Sequence, residues 1–191
     1  MSWSPNGRLL AFRRNPDADA SMWMLSLDDP TEPALFYDTP GGDDQGGASF
    51  SPDGAWLAFH SDATGESEGQ VYVLPVPATG VEVRQITQDG GVYPVWSPKG
   101  DALYYRRPFV NAFRETRLAA VGVITEGPFA VSPEQELPVT DFFVALRDYD
   151  ITPDGGRFLM VFPENPEQTR QDEIHIVQNW DEELKRLVPI N

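Results

Sequence analysis

The stretch "SFSPDGAWLAFHSD", Ser49 to Asp62, decides the fold. Ser-Pro-Asp-Gly inside it is open to two readings: a nucleophilic serine, or a tight turn between two strands. Related stretches settle which. "SWSPNGRLLAFRR" runs from Ser2 to Arg14, "VWSPKGDALYYRR" from Val95 to Arg107, and a weaker "DITPDGGRFLMVF" from Asp150 to Phe162. Their prolines, Pro5, Pro52, Pro98 and Pro153, lie 47, 46 and 55 residues apart. Self-similarity at such a period marks a repeat architecture.

The columns of the repeat have a physical sense. An apolar residue precedes the turn (Trp3, Phe50, Trp96, Ile151) and apolar residues follow it at matched places (Leu10, Leu57, Leu103, Phe158, then Phe12, Phe59, Tyr105, Met160). Residues two apart share one face of a strand, so each repeat opens as strand, turn, strand. Proline presets φ at the second turn position, and Asn, Asp or Lys is tolerated at the third. Glycine then supplies the left-handed conformation of a bulged hairpin. The Ser or Thr hydroxyl bonds to nearby backbone. Every residue type of the motif has a structural reason, and Ser51 has neither a base nor an oxyanion hole near it in sequence.

Short β-branched and aromatic segments follow each hairpin: "SMWMLSL" and "PALFYD", then "QVYVLPV" and "VEVRQIT", then "TRLAAVGV" with "GPFAV" or "ELPVT", and finally "EIHIVQ". About four strands in a repeat of some 40–50 residues is the signature of a β-propeller blade. The expectation is an all-β chain, a partial β-propeller of about four four-stranded antiparallel blades with a short C-terminal helix. The blades span about 1–46, 47–92, 93–146 and 147–180, and the helix, in "DEELKRLV", about 180–188. The fourth hairpin carries an extra glycine, Gly156, which suggests a shifted or bulged turn. The ring is expected to be incomplete, and three outcomes stay open: closure, an open arc, or pairing with another chain. Open sheet edges invite self-association.

The motifs "SWSPNGRLLAF", "SFSPDGAWLAFHSD" and "VWSPKGDALYY" resemble the WD-like repeats of the TolB family of bacterial β-propellers, over nearly the whole chain. The tail "HIVQNWDEELKRLVP" is similar to the end of propellers fused to bacterial serine/threonine kinases or transcriptional regulators. This resemblance implies a protein-interaction surface without catalytic residues in the propeller, in an extracytoplasmic setting. It also leaves an alternative, an accessory propeller of a kinase or of a prolyl-oligopeptidase-type peptidase whose catalytic domain is absent from this chain.

Composition bounds the chemistry. Thirty acidic against fourteen basic residues give a net charge of −16. Such a surface repels phosphate backbones, so nucleic acid is not an expected partner. No apolar run is long enough to insert in a membrane as a helix, and the start of the chain lacks a signal-peptide pattern. With no cysteine, disulfides, thiolate zinc sites and thiol nucleophiles drop out. His60 and His175 read as ordinary strand histidines. "GGDDQGG", Gly41 to Gly47, lacks the Lys and Ser/Thr of a phosphate loop, and its Asp43 and Asp44 do not follow a calcium-loop spacing. No catalytic, cofactor or metal residue is expected. The candidate site is the basic and aromatic segment "RRPFVNAFRETR", in which Arg106, Arg107, Phe109, Phe113 and Arg114 form an expected loop for a protein or peptide partner.

Overall fold

A computed structural model describes residues 1–14, 21–37, 45–62, 69–78, 83–107, 117–140 and 149–161. The described residues form β-strands only, in separate antiparallel sheets. The first sheet holds β1 (Ser2–Trp3), β2 (Leu9–Arg14), β3 (Ser21–Ser26) and β4 (Ala34–Tyr37), in that order. The second holds β5 (Gln45–Phe50), β6 (Trp56–Ser61), β7 (Gln70–Pro75) and β8 (Arg84–Gln85), again in chain order. The third runs from β9 (Val92–Trp96) through β10 (Ala102–Arg107) to β11 (Arg117–Ile124). Both β12 (Ala130–Val131) and β13 (Gln135–Thr140) pair with β11. The two segments that compete for the outer strand in the sequence therefore share it. A fourth, two-stranded sheet joins β14 (Tyr149–Ile151) to β15 (Phe158–Met160). The C-terminal helix expected at about 180–188, and His175, lie outside the described residues.

The hairpin motif builds each sheet in the same way. Trp3 pairs with Leu10, Phe50 with Leu57, Trp96 with Leu103 and Ile151 with Phe158. The fourth register is thus the same as the others. Gly156 occupies the place of Ala55 in the second repeat, and no shift or bulge follows from it. Gly7, Gly54, Gly100 and Gly155 all sit at φ between 68° and 74°, and each donates its N–H to the carbonyl of the Ser or Thr three residues earlier. This is a type I turn closed by a left-handed residue, which glycine adopts without strain.

The sheets pack face to face. Ala11, Met22 and Met24 of the first sheet meet Phe50, Leu57, Phe59, Tyr72 and Leu74 of the second in one buried cluster. Ala58, Val71 and Val73, on the opposite face of the second sheet, meet Trp96, Leu103, Tyr105, Ala119 and Val121 of the third. Val95 and Leu118 of the third meet Tyr149, with Ile151, Phe158 and Met160 packed around them. The junctions set small or slim side chains such as Ala11 and Ala58 against large ones, which lets the layers interdigitate. The first strands of adjacent sheets are also tied: the Ser2 hydroxyl accepts from the Phe50 N–H at 3.3 Å, and Ser49 from the Trp96 N–H at 3.2 Å.

Candidate functional site

In each sheet the first strand begins, and the second strand ends, on the same side of the molecule. The antiparallel pairing therefore gathers Arg13, His60 and Arg106, which hold one position of the repeat, with the start of β5, β9 and β14.

Tyr93 is the centre of this end. It holds φ 53°, unusual for a bulky residue. Its N–H donates to His60 Nδ1 at 3.2 Å, and the two rings meet edge-on with centroids 4.7 Å apart. Its carbonyl accepts from the Tyr149 hydroxyl at 2.6 Å. The Arg106 guanidinium lies 4.8 Å above its ring, within cation–π range. One residue thus links the second, third and fourth sheets. Gly46 and Gly47 make room for it: a Cβ on Gly47 would stand 2.7 Å from His60 Nδ1 and 2.9 Å from Tyr93 Cα.

His60 is buried, and its pKa falls to about 4. Burial is the main cause, followed by the positive charges of Arg106 and Arg13, with Asp62 opposing them. The imidazole is therefore neutral at pH 7. Because Nδ1 accepts from Tyr93, the ring proton sits on Nε2.

The connection into β9 is anchored beside this centre. Thr87 donates to Gln70 Oε1 at 2.7 Å and accepts from the Val71 N–H at 2.9 Å, while Gln70 Nε2 donates to the Gln88 carbonyl at 3.2 Å. Arg107 forms ion pairs with Glu134 at 3.1 Å and Glu136 at 3.5 Å. Arg117 reaches Glu136 at 2.8 Å, and the Tyr105 hydroxyl donates to Glu134. Burial, then that carboxylate, pushes the Tyr105 phenol well above its ordinary range.

Of the segment singled out in the sequence, Arg106 and Arg107 belong to β10 rather than to a loop. Arg106 is buried against Tyr93, and Arg107 is bound to the outer strand. Phe109, Phe113 and Arg114 lie outside the described residues, as do Asp43 and Asp44. The role of Tyr93 has no local signal in the sequence, because its conformation comes from partners on three sheets. Ser51 is spent on the turn: its hydroxyl donates to Asp53 and accepts from the Trp56 N–H at 2.9 Å. Among the described residues no group of three or more His, Asp or Glu side chains could hold a metal ion.

Successive antiparallel sheets, the first two four-stranded, packed face to face and tied through their first strands, define a β-propeller. Solved structures narrow the fold. The chain superposes on TolB from Acinetobacter baumannii with a TM-score of 0.62 at 16% identity, over 86% of this chain and 37% of that one. It superposes on a putative TolB from Agrobacterium tumefaciens with a TM-score of 0.54 at 22% identity, over 71% of this chain and 49% of that one. The fold is a TolB-like β-propeller. Hydrazine synthase from Kuenenia stuttgartiensis also matches, with a TM-score of 0.50 at 16% identity, over 82% of this chain and 47% of that one. In sequence, the chain is 30% identical over 105 residues to the uncharacterized protein Atu1656 of Agrobacterium fabrum, covering 54% of this chain and 33% of that protein. The chain thus spans about a third of that relative and less than half of each solved structure. No protein-family model matches it.

Proposed function

We propose that this propeller is a non-catalytic interaction module, which binds a protein or peptide partner at the end where Arg13, His60 and Arg106 gather. The observation that carries this reading is the clamp at the base of the Arg106–Arg117 segment. Arg106 lies on Tyr93, Arg107 is paired with Glu134 and Glu136, and Arg117 is paired with Glu136. Two strands held this firmly give the intervening "PFVNAFRET" a rigid base, and its Phe and Arg side chains are types that anchor interfaces. Pre-organisation of the base lowers the ordering cost of binding. The polar groups that could attract a catalytic reading, Ser51 and His60, are engaged in the turn and in the junction.

The test uses the whole chain. Peptides selected from a random library against the wild-type chain are measured again with Phe109→Ala/Phe113→Ala. Loss of affinity by tenfold or more, with an unchanged circular dichroism spectrum, is the expected result. Peptides that bind both chains equally would refute the assignment of the site. A hydrolytic or phosphotransfer turnover abolished by a single substitution in this chain would refute the non-catalytic reading.

A further inference from the structure

The first strands of the second and third sheets are bulged at the same place. In the second sheet the register passes from Gly46 opposite His60 to Ser49 opposite Ala58. In the third it passes from Val92 opposite Arg106 to Val95 opposite Tyr104. Each first strand thus fits an extra residue against the second strand, which is a β-bulge. Gly47 and Tyr93 hold the same position in the two bulges, 46 residues apart like Pro52 and Pro98. Both are left-handed, at φ 63° and 53°. Glycine takes that conformation freely, and tyrosine does not. Strain of this kind persists where the surrounding structure holds it, and it marks switch regions. Here His60 Nδ1 accepts from the Tyr93 N–H, and the Tyr149 hydroxyl donates to the Tyr93 carbonyl.

We infer that His60 and Tyr93 form a proton-operated latch: a proton taken up at His60 Nδ1 sets two donors face to face, Tyr93 leaves the left-handed conformation, and the third sheet loosens from the second and fourth at this end. The proton comes from solvent, and no covalent bond changes. Nε2 already carries its hydrogen, so the charged ring keeps no acceptor for the Tyr93 N–H. The surroundings push the same way. Arg13 from β2 and Arg106 from β10 set two positive charges on the ring, and Asp62, just past β6, opposes them as the weaker influence. Among the described residues, β5 presents Gly46 and Gly47 to the ring and β7 pairs Val71 with it, all without charge. From β9 and β14 come the phenols of Tyr93 and Tyr149. A buried imidazolium is therefore both poorly solvated and repelled, and moving Tyr93 aside relieves it. Arg106 rests on the Tyr93 ring, so the release also disturbs the base of the Arg106–Arg117 segment. Acid then weakens binding at this end. That consequence rests on the function proposed above, and the latch itself does not.

Amide hydrogen exchange of the whole chain, followed by NMR at pH 6 and pH 5, tests the latch. With a pKa of about 4, protonated His60 grows from about 1 in 100 to about 1 in 10 over that unit. After correction for the intrinsic rate, protection of the Tyr93 amide should fall about tenfold. At both pH values Tyr93 should exchange at least about tenfold faster than Ala58 and Leu103, which report opening of the buried second junction. In His60→Gln, which does not titrate, Tyr93 protection should stay within about twofold across the same unit. Three results would each overturn the inference. One is Tyr93 protection that does not change with pH in the wild-type chain. Another is exchange at Tyr93 no faster than at Ala58 and Leu103, which would make the opening global. The third is the same pH dependence in His60→Gln.

Discussion

At Tyr93 a bulky residue holds φ 53° because three neighbours fix it at once: His60 takes its N–H, Tyr149 gives to its carbonyl, and Arg106 covers its ring. The first of these depends on a neutral imidazole. His60 has its ordinary value of 6.5 in the unfolded chain and about 4 in the folded one. Between those values the unfolded chain takes up a proton that the folded chain refuses, so stability falls as the pH falls. The loss begins below about pH 6.5 and is complete near pH 4, amounting to about 3 kcal/mol. Urea unfolding across that window should show it. In His60→Gln, whose amide oxygen can still accept from Tyr93 but does not titrate, the slope should be shallower by that amount. Equal slopes would mean that His60 is not the group responsible. Gly47 gives a second check at this scale. With φ 63° and a backbone atom 2.9 Å from the Cβ site, Gly47→Ala should cost at least about 2 kcal/mol. Gly7→Ala, at φ 68° but with nothing within 4 Å, should cost only the conformational strain, about 1 kcal/mol.

The hairpin is the element that the sequence discloses best, because its determinants are local. Ser, Pro, a polar residue and Gly each answer to backbone geometry within four positions, and the paired columns then follow from the period of a strand. Even the departures are resolved locally. In the third repeat Lys99 cannot accept from the Ser97 hydroxyl, and Asp101 accepts instead at 2.7 Å. In the others the acceptor is the residue after proline: Asn6, Asp53 and Asp154. The hydroxyl is nonetheless structural, so Ser51→Ala should destabilise by about 1–2 kcal/mol, leaving the Trp56 N–H without its acceptor. Chemical denaturation measures this, and an unchanged midpoint would reduce the hydroxyl to an ornament of the turn. The outer strands were less legible. β8 is only two residues long where "VEVRQIT" suggests seven, since an outer strand has a neighbour on one side alone. The candidate site was the least legible of all. "RRPFVNAFRETR" reads as a loop, yet its Arg106 is a buried strand residue, with an environment set by Tyr93 from another strand. No local pattern encodes that contact.

At the scale of the whole molecule the core is divided into three junctions, and each is shared only by adjacent sheets. Stability in such a row is a sum of sheet terms and nearest-neighbour terms, so damage at one junction need not spread evenly. Phe59 offers the sharpest probe. It is fully buried in the first junction, with Tyr37 of the first sheet at 5.3 Å between ring centroids and Tyr72 of its own sheet at 5.9 Å. Phe59→Ala should cost about 3–5 kcal/mol, the usual loss for emptying a buried aromatic site. The loss falls first on the contact between sheets one and two. Amide hydrogen exchange in β2 and β3 should accelerate most, because the first sheet leans on that single junction for its buried face. Exchange in β10 and β11 should change least, since the second junction, with Leu103, Tyr105 and Val121, and the third, with Val95 and Leu118, are untouched. An equal acceleration in all sheets would show instead that the row unfolds as one unit. In that case the ties between first strands, from Ser2 to Phe50, Ser49 to Trp96 and Tyr149 to Tyr93, couple the sheets more strongly than their shared apolar faces do.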